Sequence, residues 1–94
     1  MQYAYQPSFL ATTKSLSNTK ARRLLGAIEK FQRAIDARQW PQGLGVTHLR
    51  DSYFEFRVDI HMRVVYRRST DLIQYVLYGS HDDITRFLKS LSHR

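Results

Sequence analysis

The sequence contains no cysteine. That excludes a disulfide framework, a cysteine-ligated zinc site and a cysteine nucleophile. Acidic residues are scarce: 8 Asp and Glu stand against 15 Lys and Arg, for a formal net charge of +7. Such a balance in a small domain favours a polyanionic partner, whether nucleic acid or an acidic protein. No apolar run approaches the ~20 residues that span a bilayer. The opening Met1-Gln2-Tyr3-Ala4-Tyr5-Gln6 lacks the basic-then-apolar order of a signal peptide. No membrane partner and a cytoplasmic location are therefore expected. There is no internal repeat, low-complexity segment or interdomain linker, and no metal or other cofactor is expected. What is present suffices for one core: 94 residues, 43% of them hydrophobic and 24% charged, read as a single domain over 1–94.

The basic excess is uneven. Residues 1–47 carry seven Lys and Arg against two acids, and 48–94 carry eight against six. Tyr3–Tyr5 reads as a short strand ended by Pro7, and a weakly amphipathic helix follows from about Ser8 to Ser15. Ser17-Asn18-Thr19, all good N-cap residues, then introduce a stronger helix from about Thr19 to Arg38. Ala21, Leu24, Leu25, Ile28, Phe31, Ala34 and Ile35 give it one apolar stripe at 3–4 spacing. Lys20, Arg22, Arg23, Lys30, Arg33 and Arg38 occupy the rest, either as solvated surface or as a ridge resting on nucleic acid. Trp40-Pro41-Gln42-Gly43-Leu44-Gly45 stops the helix and turns the chain, with Trp40 read as a lid over the core ahead of the alternative, a base-stacking platform. Val46–Arg50 is a short strand or a lead-in.

From Tyr53 to His81 the chain reads as three strands, Tyr53–Ile60, Met62–Arg68 and Leu72–Gly79, rich in aromatic and β-branched residues. Ser80-His81-Asp82-Asp83 has the form of a capping box, and Ile84, Phe87, Leu88 and Leu91 continue at helical spacing. The expected class is α+β. A small antiparallel sheet in β-α-α-β-β-β-α order carries the N-terminal helical hairpin on one face and ends in a short helix.

Into this sheet are set Arg57, Arg63, Arg67 and His81. Arginine offers a planar fork of donors matched to phosphate, and histidine moves protons near neutral pH. Arg63 and Arg67 lie four apart on one strand and share a face. Arginines around a phosphodiester beside a histidine suit ribonuclease chemistry, in which a 2′-hydroxyl attacks phosphorus and the leaving 5′-oxygen is protonated. The same residues also read as ordinary strand arginines and the first residue of a capped helix. As a surface strand position, Arg63 is expected to change stability by no more than about 0.5 kcal/mol when replaced by Ala.

The segments Phe54-Glu55-Phe56-Arg57, Arg63-Val64-Val65-Tyr66 and Val76-Leu77-Tyr78-Gly79-Ser80-His81, with the helical hairpin and Pro41-Gln42-Gly43 before them, resemble the RelE/ParE superfamily of bacterial toxins. The resemblance covers nearly the whole chain and implies the toxin of a toxin–antitoxin pair. It further implies a ribosome-dependent endoribonuclease acting on mRNA in the ribosomal A site by metal-independent acid/base chemistry. By position, Arg57, Arg63 and His81 match the catalytic residues of such toxins. Arg67 and Tyr78 are further candidates for RNA contact, as are Lys20, Arg22, Arg23 and Lys30 on the helix. His48, Arg50 and Glu55 are candidates for RNA contact too; they occupy a region where some members carry lysines, which opens a histidine–glutamate version of the site. The implied partners are a cognate antitoxin, mRNA and the ribosome, with operator DNA reached only through the antitoxin. A non-catalytic alternative, a gyrase-directed toxin or a basic RNA- or DNA-binding module, remains open.

Overall fold

The computed structural model describes residues 1–91. In chain order these form β1 (Gln2–Tyr5), α1 (Pro7–Thr13), α2 (Asn18–Asp36), β2 (Thr47–Arg50), β3 (Tyr53–Arg57), β4 (Met62–Arg68), β5 (Leu72–Ser80) and α3 (His81–Leu91). The strands make one sheet in the order β1-β5-β4-β3-β2. Hairpins join β2 to β3, β3 to β4 and β4 to β5, so those pairings are antiparallel. The expected meander is present. Strand β1 adds to the free edge of β5 in parallel, with Gln2 opposite Leu72 and Tyr5 opposite Tyr75. The sheet is therefore mixed, because β1 leads into the helical hairpin rather than turning back on itself, and Val46–Arg50 contributes a strand at the other edge.

Helix α2 begins as its cap residues predict. The Ser17 hydroxyl accepts the Lys20 N–H at 3.3 Å, satisfying one of the free donors of the first turn. Its end lies earlier than the Pro-Gly loop. Arg38 takes φ 57°, Arg38 N–H donates to Ile35 C=O and Gln39 N–H to Ala34 C=O. This is a Schellman closure with arginine in the place glycine usually fills. In the middle of the helix, Gly26 costs about 1 kcal/mol relative to alanine. A Cβ there would meet nothing within 4 Å, so no internal contact explains the residue.

The main core lies between α1, α2 and one sheet face. Phe31 is fully buried and packs on Phe56 and Tyr66 at ring-centroid distances of 4.6 and 4.7 Å. Phe9, Leu24, Ile28, Val64, Ile73, Tyr75 and Tyr78 surround them. Burial pushes the Tyr66 hydroxyl up to about 12. An irregularity in β5 opposite Val65/Tyr66 skips Val76 in the register. It lets Val76 and Leu77 both join the second, smaller cluster on the other sheet face, where α3 sets Ile84, Phe87 and Leu88 against Val65 and Tyr53. Trp40 lies outside both clusters and is 65% exposed, so it is not the lid its position suggested.

Two side-chain carboxylates set local boundaries. Asp59 Oδ1 accepts the His61 and Met62 N–H groups, each at 2.8 Å. This side-chain turn competes with the ladder and ends β3 at Arg57, short of the expected Ile60. The first of those bonds is the main reason the Asp59 carboxyl is held below its ordinary range. Asp83 closes the predicted capping box. Its Oδ2 accepts Ser80 N–H and Ser80 Oγ–H at 2.9 Å each, while Asp83 N–H donates to Ser80 Oγ at 3.3 Å.

The Ser80 donors, chiefly the backbone N–H, hold the Asp83 carboxyl below its ordinary 3.8. A depressed carboxyl stabilises the fold fully above its unfolded value, and that contribution is lost as pH falls through the folded one. The stability gap between the parent and Asp83→Asn, measured by urea unfolding, should thus hold steady near neutral pH. It should shrink below about pH 3.8. A gap unchanged in strong acid would show that the carboxylate does not hold the cap.

Candidate functional site

Strand alternation decides which polar side chains can meet. In β3, Phe54 and Phe56 turn toward α2, so Glu55 turns to the opposite face. In β4, Val64 and Tyr66 turn toward α2, so Arg63 and Val65 share the face of Glu55. The β3–β4 register places Arg57 opposite Arg63 and Glu55 opposite Val65, making Glu55 and Arg63 diagonal neighbours within reach of long side chains. The β4–β5 register places Gly79 opposite Arg63, and the chain enters α3 two residues later. That brings His81 alongside the same guanidinium.

The result is a three-residue cluster. Arg63 Nη1 lies 3.2 Å from Glu55 Oε2 and 3.2 Å from His81 Nδ1. The Glu55 side chain is only 8% exposed and that of Arg63 25%, whereas His81 is exposed. Guanidinium has donors and no acceptor. In the Arg63–His81 contact the guanidinium therefore donates and His81 Nδ1 accepts. One arginine thus holds a buried carboxylate on one side and orients an imidazole on the other, with further N–H donors to spare.

Gly79 and Asp83 position the cluster from behind. A Cβ at Gly79 would lie 2.8 Å from Asp83 Cβ. Only glycine lets the capping carboxylate sit down on the strand and bring His81 over Arg63. No local sequence signal carries this requirement, because it arises from a contact between the strand and the first turn of α3.

The remaining candidates divide between the two faces. Arg67 shares the face of Arg63, about 13 Å along the strand. Its guanidinium carbon is 5.7 Å from the Tyr53 ring centroid and its Nε donates to Ser52 Oγ at 3.0 Å. Arg57 is exposed and extends along the loop, close enough that a Cβ on Gly45 would meet its Cδ and Nε at 3.2 Å. Among the described residues no hydrogen bond or ion pair joins it to Glu55, Arg63 or His81.

His48 pairs with Phe54 across the β2–β3 ladder, their rings 4.8 Å apart. It belongs to the α2-facing side, away from Glu55. Arg50 lies past the bulge in β2 and pairs with Asp51 at 3.4 Å. Tyr78 also turns toward the helices, where its hydroxyl is buried with no hydrogen-bond partner among the described residues. Burial first, and the Asp59 carboxylate second, push that hydroxyl upward. A ring so placed cannot reach a ligand on the Arg63 face. Lys20, Arg22, Arg23 and Lys30 are all exposed on α2, across the sheet from the cluster. No group of three or more His, Cys, Asp or Glu suited to a metal ion occurs among the described residues, and no helix there is long and apolar enough to cross a membrane.

No family model and no curated protein matches the sequence. Solved structures do match by fold. One is the RelB–RelE antitoxin–toxin complex of Methanococcus jannaschii, with TM-score 0.68 and 13% identity over 89% of this chain and 96% of that one. A second is the DinJ–YafQ toxin–antitoxin complex of Escherichia coli, with TM-score 0.65 and 12% identity over 88% and 94%. A third is the heterotetrameric YoeB–YefM toxin–antitoxin complex of Staphylococcus aureus, with TM-score 0.64 and 18% identity over 86% and 97%. This chain has the fold of the RelE, YafQ and YoeB toxins.

Proposed function

We propose that a chain with this toxin fold is itself the toxin of a toxin–antitoxin pair, and that it cleaves messenger RNA in the ribosomal A site. The observation that carries the chemistry is the Glu55–Arg63–His81 cluster: a carboxylate and an imidazole, each within hydrogen-bond distance of one guanidinium. In this reading the Glu55 carboxylate takes the proton of a 2′-hydroxyl. The freed oxygen attacks phosphorus, and the Arg63 guanidinium binds the charge that develops on the non-bridging oxygens. A phosphodiester that draws the guanidinium to itself frees His81 Nδ1 to take a proton from solvent. The resulting imidazolium then protonates the leaving 5′-oxygen. The P–O5′ bond breaks, and the products are a 2′,3′-cyclic phosphate and a 5′-hydroxyl. No step requires a metal or a cofactor. Arg67, beside Tyr53 on the same face, extends the cationic track for the flanking strand. Inducing the chain in bacteria should arrest growth and create new 5′ ends within translated messages. Arrest without new ends would favour a binding toxin of the gyrase-directed kind.

The exposed cations of α2 supply a second footprint, on the ribosome. They lie across the sheet from the cluster, so their role in this reading is docking rather than chemistry. Neutralising Lys20, Arg22 and Arg23 together should weaken ribosome association and flatten its salt dependence. Each lost phosphate contact should lower the log–log slope by roughly 0.7–0.9. A slope that does not change would return this face to the role of solvated surface.

A further inference from the structure

Between α2 and the β3–β4 hairpin runs a groove of about 430 Å³, floored by Ala27, Leu44 and Val58, with Gly26 on its α2 wall and Ile60 at the hairpin tip, and bordered by Arg23, Lys30 and Arg57. It is separate from the Glu55–Arg63–His81 cluster. On α2 its wall is the row Arg23, Gly26, Ala27 and Lys30, at the i, i+3, i+4, i+7 spacing that lines one helix face. Three features there go unused among the described residues. Gly26 exposes bare helix backbone where a Cβ would meet nothing within 4 Å. Ile60, at the hairpin tip, is 86% exposed. Lys30 and Arg57 have no anionic partner among the described residues, whereas Asp59 is met by Arg23 at 3.8 Å and by two backbone N–H groups.

An unpartnered glycine in a helix suits close approach of another backbone. An exposed isoleucine above an alanine–leucine–valine floor suits an apolar side-chain row. Two free cations on the rim suit carboxylates. Nucleic acid would use the cations but leave Ile60 and the floor uncovered. We infer that this groove docks an acidic amphipathic helix of the inhibitory partner, its small or apolar residues crossing Gly26 and Ile60 and its Asp or Glu residues reaching Lys30 and Arg57. This inference rests on the toxin–antitoxin reading.

The test uses the product of the gene adjacent to this one, purified and titrated calorimetrically into the parent chain and three variants. Gly26→Gln adds a side chain where a Cβ meets nothing within 4 Å and should melt at or above the parent, since glutamine is the better helix former. It should nonetheless bind the partner at least about tenfold more weakly. Lys30→Glu should lose as much, whereas Arg33→Glu, the same charge reversal on α2 outside the groove, should stay within about threefold. A partner that binds the parent and all three variants alike overturns the docking groove and leaves the toxin reading standing. A partner that does not bind the parent overturns both. If the partner is indifferent to Gly26→Gln and Lys30→Glu while ribosome binding falls in the same two variants, the groove holds nucleic acid and the inference is wrong.

Discussion

Arg63→Ala is expected to remove most cleavage and, unlike an ordinary strand arginine, to destabilise the fold. Loss of a donor aimed at developing oxyanion charge costs on the order of 10²–10³ in rate. The stability cost comes from Glu55, whose carboxylate is almost fully buried against the guanidinium. Breaking a buried pair costs about 3–5 kcal/mol, a large share of the roughly 5–15 kcal/mol that holds a domain together. Arg63 is itself a quarter exposed, so the lower end of that range applies. The bound of about 0.5 kcal/mol expected of a surface strand position is therefore too small here, because strand pattern does not disclose that Glu55 is buried. Two further variants separate chemistry from folding. Arg63→Lys keeps a cation beside Glu55 but loses the fork; it should fold and still cleave at least about tenfold more slowly. The double variant Glu55→Gln, Arg63→Ala removes the unpaired charge and should recover most of the lost stability while remaining inactive. A folded double variant that cleaves would remove both residues from the mechanism.

His81→Ala should cost on the order of 10²-fold in single-turnover cleavage if the imidazole delivers a proton. Its fold should be little changed, because the α3 cap is made by Ser80 and Asp83 and, among the described residues, the His81 side chain contributes only its contact with Arg63. His81→Gln is the sharper comparison. Glutamine can accept the same hydrogen bond from Arg63 and preserve its orientation, yet it cannot carry a proton to the leaving oxygen. Equal loss in both variants assigns proton transfer to His81. Recovery in His81→Gln assigns it the lesser role of orienting Arg63. Circular dichroism on each variant serves as the folding control.

Much of this architecture could be read in the chain because its causes are local. The α2 stripe, the crowded strands from Tyr53 onward and the Ser80–Asp83 box each depend on residues within one or two turns of each other, and each is present in the fold. What could not be read depends on register between distant segments. Nothing near Tyr3 states that it will lie parallel to Ile73, and nothing in Thr47–Arg50 states that His48 will stand opposite Phe54. That single pairing carries His48 to the helix side of the sheet.

Tyr78 stands three residues before His81, yet the irregularity at Val76 and the alternation after it turn the ring into the core. Glu55 shows the reverse. Set between Phe54 and Phe56 in an apolar strand, it is by position a candidate for RNA contact, and its burial also makes it the partner of Arg63. A carboxylate in so apolar a strand requires a cation nearby, and that requirement was the available signal. The exposure of Trp40 and the Gly79–Asp83 contact had no such signal, since both follow from how separate elements meet.

The most direct test of Glu55, Arg63 and His81 as a nuclease site is single-turnover cleavage of a message held in the ribosomal A site, with the chemistry of the new ends identified. The parent chain should leave a 2′,3′-cyclic phosphate on the upstream fragment and a 5′-hydroxyl on the downstream one. The double variant Glu55→Gln, His81→Gln should leave the message intact while keeping the parent's fold. Cleavage by that double variant at the parent's rate, or a 5′-phosphate on the downstream fragment, would contradict the assignment.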